Sequence, residues 1–260
     1  MATSTRATSK PSTQTRPAII TSGLDVRRGG TIALSGIDLT VPAGTALAVI
    51  GPNGSGKSTL LETMTGILKP HSGIIGLDGK RPALVPQTTH VDRSLPITVR
   101  ETVAMARYAT LGFIRPFRRA DRLAIDDAIA RLEIEELADR PFHELSGGQR
   151  QRALVAQGIA QDSEILLLDE PLNGLDVASQ EAILTVLDQL VLEGKTVVVT
   201  THDLDDARRY DQVLLLKTKA LAVGPPSEVL TATHLREAFG RRFTQVGDEL
   251  VIDDPHHHHH

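Results

Sequence analysis

The residues Gly51-Pro52-Asn53-Gly54-Ser55-Gly56-Lys57-Ser58 match the pattern G-x-x-x-x-G-K-[ST]. Glycines in such a loop let successive backbone N–H groups turn inward and form a concavity for an anion. A helix starting there adds the positive end of its dipole. Lys57 could then reach β- and γ-phosphates, Ser58 could ligate Mg²⁺, and Thr59 could add an α-phosphate contact. An ordinary Gly-rich turn is the plainer reading, and the setting between an apolar strand and a helix argues against it. A second group follows Ile165-Leu166-Leu167-Leu168, where the chain runs into Asp169 and Glu170. In an open parallel sheet, ligand groups gather at the carboxyl ends of strands. Asp169 there could complete a Mg²⁺ shell, and Glu170 could orient or deprotonate an attacking water. Successive side chains of a strand point to opposite faces, which would let the two acids hold different tasks. Two acids opening a loop before Pro171 are the alternative.

The elements that must position these groups alternate along the chain. Apolar runs and turn signals predict strands over 18–26, 31–41, 46–50, 73–77, 83–85, 164–168, 196–200 and 213–216. Helices are predicted over 56–68, 99–108, 121–132, 135–138, 148–160 and 178–192. This is an α/β core with a helical insertion between about 90 and 160, in a single domain over 18–254. Residues 1–17 are rich in Ser and Thr and lack acids, which predicts a disordered tail. The histidine run within 255–260 reads as an expression tag, with a metal-binding tail as the other possibility.

Composition narrows the functions. The chain of 260 residues is 40% hydrophobic and 23% charged, enough for a real core under an ordinary surface. A net charge of −4 leaves no electrostatic footprint for nucleic acid, and 3% aromatic content makes base-stacking platforms improbable. The absence of cysteine excludes disulfides and thiolate metal sites. No apolar run approaches the roughly 18 residues needed to span a bilayer. A membrane role would need a second polypeptide. His71, His90, His143 and His234 lack ligand spacing.

Between the two groups stands Leu145-Ser146-Gly147-Gly148-Gln149, and in that order the motifs resemble the ATP-binding subunits of ABC transporters. On its own, a Ser-Gly-Gly before a helix could be only an N-cap. The resemblance implies a P-loop NTPase core with an N-terminal antiparallel β subdomain and an inserted α-helical subdomain. It also implies ATP and Mg²⁺ as cofactors, and a head-to-tail homodimer. In that dimer Ser146, Gly147, Gly148 and Gln149 would bind the γ-phosphate of ATP held by the other copy. Gln87 matches the loop glutamine that touches Mg²⁺ and water, and His202 the switch histidine at the γ-phosphate. Asn173-Gly174-Leu175-Asp176 matches the loop that meets the other copy through Asp176, although Ser-Ala more often precedes the Leu-Asp. Arg28 stands where the family has an aromatic residue against adenine. A guanidinium can stack on a base, and a solvated surface arginine is the alternative.

Val85-Pro86-Gln87, Leu95-Pro96-Ile97-Thr98-Val99, and Leu111-Gly112-Phe113 before the basic run at 115–119 look like the manganese, zinc and iron importers. That branch implies an integral membrane permease as partner, docked on the helical insertion. It further implies a substrate-binding protein acting indirectly, and a place at the cytoplasmic face of the cell membrane. Arg115, Arg118 and Arg119 could face the permease or lipid headgroups, or simply water. A soluble ABC ATPase acting on ribosomes or DNA is the main rival. A module that binds ATP without hydrolysis is disfavoured by Glu170 and His202, and a small GTPase by the lack of Asn-Lys-x-Asp.

Overall fold

The computed structural model describes residues 16–79, 81–87, 97–111, 116–240, 243–246 and 249–252. The terminal tracts, His90, Leu95-Pro96, Gly112-Phe113 and Arg115 lie outside them.

Two long strands, β1 (Pro17–Arg28) and β2 (Thr31–Pro42), pair antiparallel through a Gly29-Gly30 turn. β3 (Ala46–Ile50) leads into α1 (Lys57–Met64), and β4 (Ser72–Leu77) returns beside β1. After β5 (Ala83–Val85) the chain enters the helices α2 (Val99–Leu111), α3 (Arg119–Arg131) and α4 (Gly147–Ala160). Short 3₁₀ turns at Glu135–Leu137 and Phe142–Glu144 join the last two. The core resumes with β6 (Ile165–Asp169), α5 (Val177–Leu192), β7 (Thr196–Thr201), α6 (Leu204–Ala207) and β8 (Gln212–Lys217). β9 (Lys219–Gly224), α7 (Pro226–Val229), α8 (Ala232–Phe239) and a hairpin of β10 (Phe243–Val246) with β11 (Glu249–Ile252) complete it.

The six-stranded sheet runs β5-β6-β7-β3-β8-β9, parallel except for β9 at the edge. Its inner strands are apolar without a break because both faces are covered. Period-two alternation divides each strand between two cores. Leu166, Leu168, Val197, Val199, Val213 and Leu215 face a core shared with α2 to α5, α7 and α8. Ile165, Leu167, Val198, Leu214 and Leu216 face a core shared with α1 and the antiparallel sheet β2-β1-β4. No helix among the described residues is long and apolar enough to cross a membrane.

Several boundaries differ from the sequence reading. β1 already includes Pro17, and Arg16 pairs with Asp78 at 2.8 Å, so order begins before the tail boundary drawn from composition. The helix predicted over 56–68 ends at Met64, because the N–H groups of Ile67 and Leu68 both turn back to the Glu62 carbonyl. The segment predicted as a helix over 135–138 is a single 3₁₀ turn, entered through Glu133 at φ +52°.

The inserted helices are tied by a buried ion pair. Arg107 on α2 donates to Asp121 on α3 at 2.6 and 3.0 Å, and to the Ala160 carbonyl closing α4 at 3.1 Å. The Arg118 N–H and the Arg107 guanidinium hold the Asp121 carboxyl below the usual carboxylate range. Ile129 is 1% exposed in the core between these helices and the sheet. Ile129→Ala should lower stability by about 2–5 kcal/mol, read as a fall in the urea midpoint at unchanged slope.

Candidate nucleotide site

Five neighbouring parallel strands, β5-β6-β7-β3-β8, end at one edge of the sheet. Within one or two positions of their ends stand Gln87, Glu170, His202, Gly51 (which opens the phosphate loop) and Thr218 respectively. Adjacent strands lie about 4.8 Å apart, so residues far apart in sequence become side-chain neighbours. A cavity of about 440 Å³ opens there, bounded by the loop from Asn53 to Thr59, by Arg28 and Ile32, and by Gln87 and Glu170.

The loop after β3 is shaped by close approach. A side chain on Gly51 would stand 2.1 Å from the Leu216 carbonyl oxygen. Gly56, the cap of α1, has φ +106°, and a Cβ there would strike Leu34 and the Ala33 carbonyl. The loop is also held from outside: Thr218 N–H donates to the Ser55 carbonyl at 2.8 Å, and Ser35 N–H to the Thr218 carbonyl at 2.7 Å. Lys57 curls back, with Nζ donating to the Gly51 carbonyl at 2.8 Å and lying 3.8 Å from Glu170 Oε1.

Glu170 is the centre of the group. Its Oε2 accepts from Gln87 Nε2 and from Asn173 Nδ2, each at 3.2 Å, and lies 3.9 Å from His202 Nδ1. Asp169 Oδ1 accepts from the Thr200 hydroxyl at 2.6 Å. The pleat argument for two tasks fails at this point. β6 ends at Asp169, and Glu170 sits in the left-handed region at φ +47°. The turn, not alternation along a strand, aims the second carboxylate. Thr200 and Thr218 were not singled out from sequence, and Asn173 was noted only within the Asn-Gly departure from the family's Ser-Ala, not as a partner of Glu170. The signal for Thr200 was a hydroxyl closing a run of valines, and for Asn173 its three-residue spacing from Glu170.

The residues fit a nucleotide with its cation. The Ser55 hydroxyl is buried in the loop without a hydrogen-bond partner. Ser58, Asp169 and Gln87 offer oxygen donors only, the set a hard divalent cation takes. Arg28 lies on the cavity rim, its guanidinium paired with Glu62 on α1 at 3.2 and 3.4 Å. Exposed pairs contribute about 0–1 kcal/mol, so the pair neither requires nor prevents stacking on a base.

The remaining motif residues lie elsewhere. None of Ser146, Gly147, Gly148, Gln149 or Asp176 lines this cavity, nor do Asp169 and His202, the latter lining a neighbouring pocket that shares Glu170. Ser146 caps α4, its hydroxyl accepting from Gln149 N–H at 3.2 Å while Gln149 Oε1 accepts from Ser146 N–H at 3.1 Å. Asp176 caps α5 through Ser179, whose N–H and hydroxyl hold its carboxyl below the usual range. A Cβ on Gly148 would lie 2.3 Å from the Ser179 hydroxyl, so only glycine lets these two helix starts meet.

Known proteins resemble this chain in sequence and in fold. The ABC transporter family model matches residues 34–173. The manganese transport system ATP-binding protein MntB of Bacillus subtilis is 37% identical over 228 residues, covering 85% of this chain and 91% of that one. The zinc transport system ATP-binding protein TroB of Treponema pallidum is 39% identical over 217 residues, covering 80% and 81%. Among solved structures, a transporter described as of metal-chelate type, in an inward-facing conformation, superposes with TM-score 0.79 at 30% identity, covering 91% of this chain and 96% of that one. The ATP-binding cassette MJ0796, a dimer in a post-hydrolysis state with ADP and Pi, gives TM-score 0.67 at 26% identity, covering 80% and 98%. With its phosphate loop, carboxylates and fold all of this kind, the chain belongs to the ABC transporter family, as an ATP-binding subunit with ATPase activity.

Proposed function

We propose that this chain is the ATPase subunit of a bacterial importer for a divalent metal ion, of the manganese, zinc and iron group. One observation carries the mechanism: Glu170 is surrounded by Lys57, Gln87 and His202 from three other elements or strand ends, while the Ser146–Gln149 group lies off the cavity that Lys57, Gln87 and Glu170 line. Each copy therefore holds most of a reaction centre and lacks the remainder. Two copies close head to tail over two ATP molecules, and Ser146 of the partner subunit meets the γ-phosphate together with the N–H groups that follow it. The partner's Asp176 meets the facing loop.

Lys57 places its ammonium against the β- and γ-phosphates, and Thr59 contacts the α-phosphate. Ser58, Asp169 and Gln87 hold Mg²⁺, which when bound neutralises phosphate charge. Glu170 accepts a proton from the water that attacks the γ-phosphorus in line, and His202 orients the transferred group. Both amide donors fall on Oε2, which leaves Oε1, 3.8 Å from Lys57 Nζ, to take the proton. Arg28 and Ile32 receive the adenine.

The metal-ion reading is supported by the named relatives, whose alignments span most of both chains. The helices between Gln87 and Leu145 form the docking face for a membrane permease, with Met105 and Leu123 exposed on α2 and α3. A substrate-binding protein delivers the ion on the far side, and the subunit sits at the cytoplasmic face. The sequence's net charge of −4 favours no nucleic-acid partner.

Glu170→Gln should retain ATP binding and accumulate as a nucleotide-bound dimer, with hydrolysis reduced about a hundredfold or more. Full turnover in that variant overturns the assignment of the base. Arg28→Ala should erase a preference for ATP over GTP, measured as the ratio of kcat/KM. An unchanged ratio overturns stacking. In vesicles holding the complex of this chain with its permease and binding protein, Mn²⁺, Zn²⁺ or iron should stimulate ATP turnover. The absence of stimulation by all three overturns the metal reading.

A further inference from the structure

We propose that Thr200 is a positioning residue of the hydrolytic centre, setting Asp169 and Glu170 together through one hydroxyl. The inference rests on the roles given to those two acids above.

Thr200 is fully buried near the end of β7, directly across the parallel ladder from Asp169. Its hydroxyl donates to Asp169 Oδ1 at 2.6 Å and accepts from Glu170 N–H at 2.8 Å. A hydroxyl has one hydrogen. Committing it to Asp169 turns a lone pair toward Glu170, so each bond fixes the geometry of the other. The bond to Asp169 holds the rotamer of a carboxylate meant for the cation shell. The bond to Glu170 holds the backbone at the residue where the chain leaves the sheet at φ +47°. That N–H has left the strand ladder and is part-buried, and a buried donor without a partner is costly.

The neighbours do not share this work. Val197, Val198 and Val199 are apolar, and the Thr201 hydroxyl accepts from Asp203 N–H in the next turn. Gln87 reaches only the carboxylate of Glu170, and Asn173 reaches the carboxylate and, through its own N–H, the Glu170 carbonyl at 3.3 Å, but neither holds the Glu170 N–H. Among the described residues, the Thr200 hydroxyl is the group hydrogen-bonded to both acids.

Valine has nearly the shape of threonine and the same preference for strands, without the hydroxyl. Thr200→Val should fold and bind ATP, with kcat down about tenfold or more and KM within about twofold, the pattern of misplaced groups. Thr200→Ser keeps the hydroxyl and should return kcat to within about threefold. A second readout needs no turnover. The gain in affinity for a fluorescent ATP analogue on adding Mg²⁺, against EDTA, should shrink in Thr200→Val and recover in Thr200→Ser. Should the valine variant be too unstable to purify, Thr200→Ser against Thr200→Cys gives the same comparison, with serine active and cysteine impaired. Parent-like kcat and Mg²⁺ gain in Thr200→Val overturn the proposal, as does a serine variant as impaired as the valine one. Glu170→Gln run alongside separates the two readings. If it loses hydrolysis while Thr200→Val does not, only the role of Thr200 falls; if it keeps hydrolysis, the assignment of the acids falls first.

Discussion

The site is organised around one charge, the ammonium of Lys57, which is 6% exposed. Removing such a charge from water costs on the order of several kcal/mol unless partners replace the lost hydration. The phosphate loop wraps back to offer the Gly51 carbonyl, and the Glu170 carboxylate stands 3.8 Å away. The anion that counters Lys57 in the chain alone is thus the proposed base itself. ATP phosphates can take over that duty. When they do, Glu170 is released from its role as counterion and freed for the role of base proposed for it. Substrate binding and activation of the base are then one electrostatic exchange.

That exchange depends on the sheet. Gly51, Gln87, Glu170, His202 and Thr218 are spread over more than half of the chain, yet they stand at the ends of five adjacent strands. A parallel sheet makes this possible because all its strands finish on one side. The crossover helices that parallel strands need cover both faces, which accounts for the two separate cores. The helices between β5 and β6 are the longest of these crossovers. They place Gln87 at one end and the Ser146 group at the other, so a shift of this layer moves both relative to the sheet.

Much of this was legible in the residues. The phosphate loop, the apolar strands and the two acids were read from spacing and chemistry, and Gln87, His202 and Ser146 from the resemblance. What was not legible has physical reasons. The late elements β9, α6 and α7 are short, and their apolar residues fix neither period. β9 is an edge strand with no fully buried side. Thr200 is a threonine among valines until the register sets it beside Asp169, and register between distant strands is absent from a local pattern. The opposite-face argument for Asp169 and Glu170 assumed that the strand continued. A single positive φ at Glu170 ended it.

Backbone strain follows the same division. Among the described residues, four that are not glycine have positive φ: Glu133, Asp162, Glu170 and Thr218. Glu133 and Asp162 each follow the cap of a helix, α3 and α4, where the left-handed conformation closes the last turn. Glu170 and Thr218 each follow a strand at the site edge instead. A left-handed residue with a side chain costs about 1–2 kcal/mol, and a net hydrogen bond returns about 1 kcal/mol. Thr218 has its N–H on the Ser55 carbonyl and its own carbonyl on Ser35 N–H. Glu170 has its N–H on Thr200 and its carboxylate on Gln87 and Asn173. In both cases the bonds that offset the strain lead into the nucleotide site. Among the described residues other than glycine, the chain leaves a strand through positive φ only at Glu170 and Thr218, and the surrounding contacts hold it there.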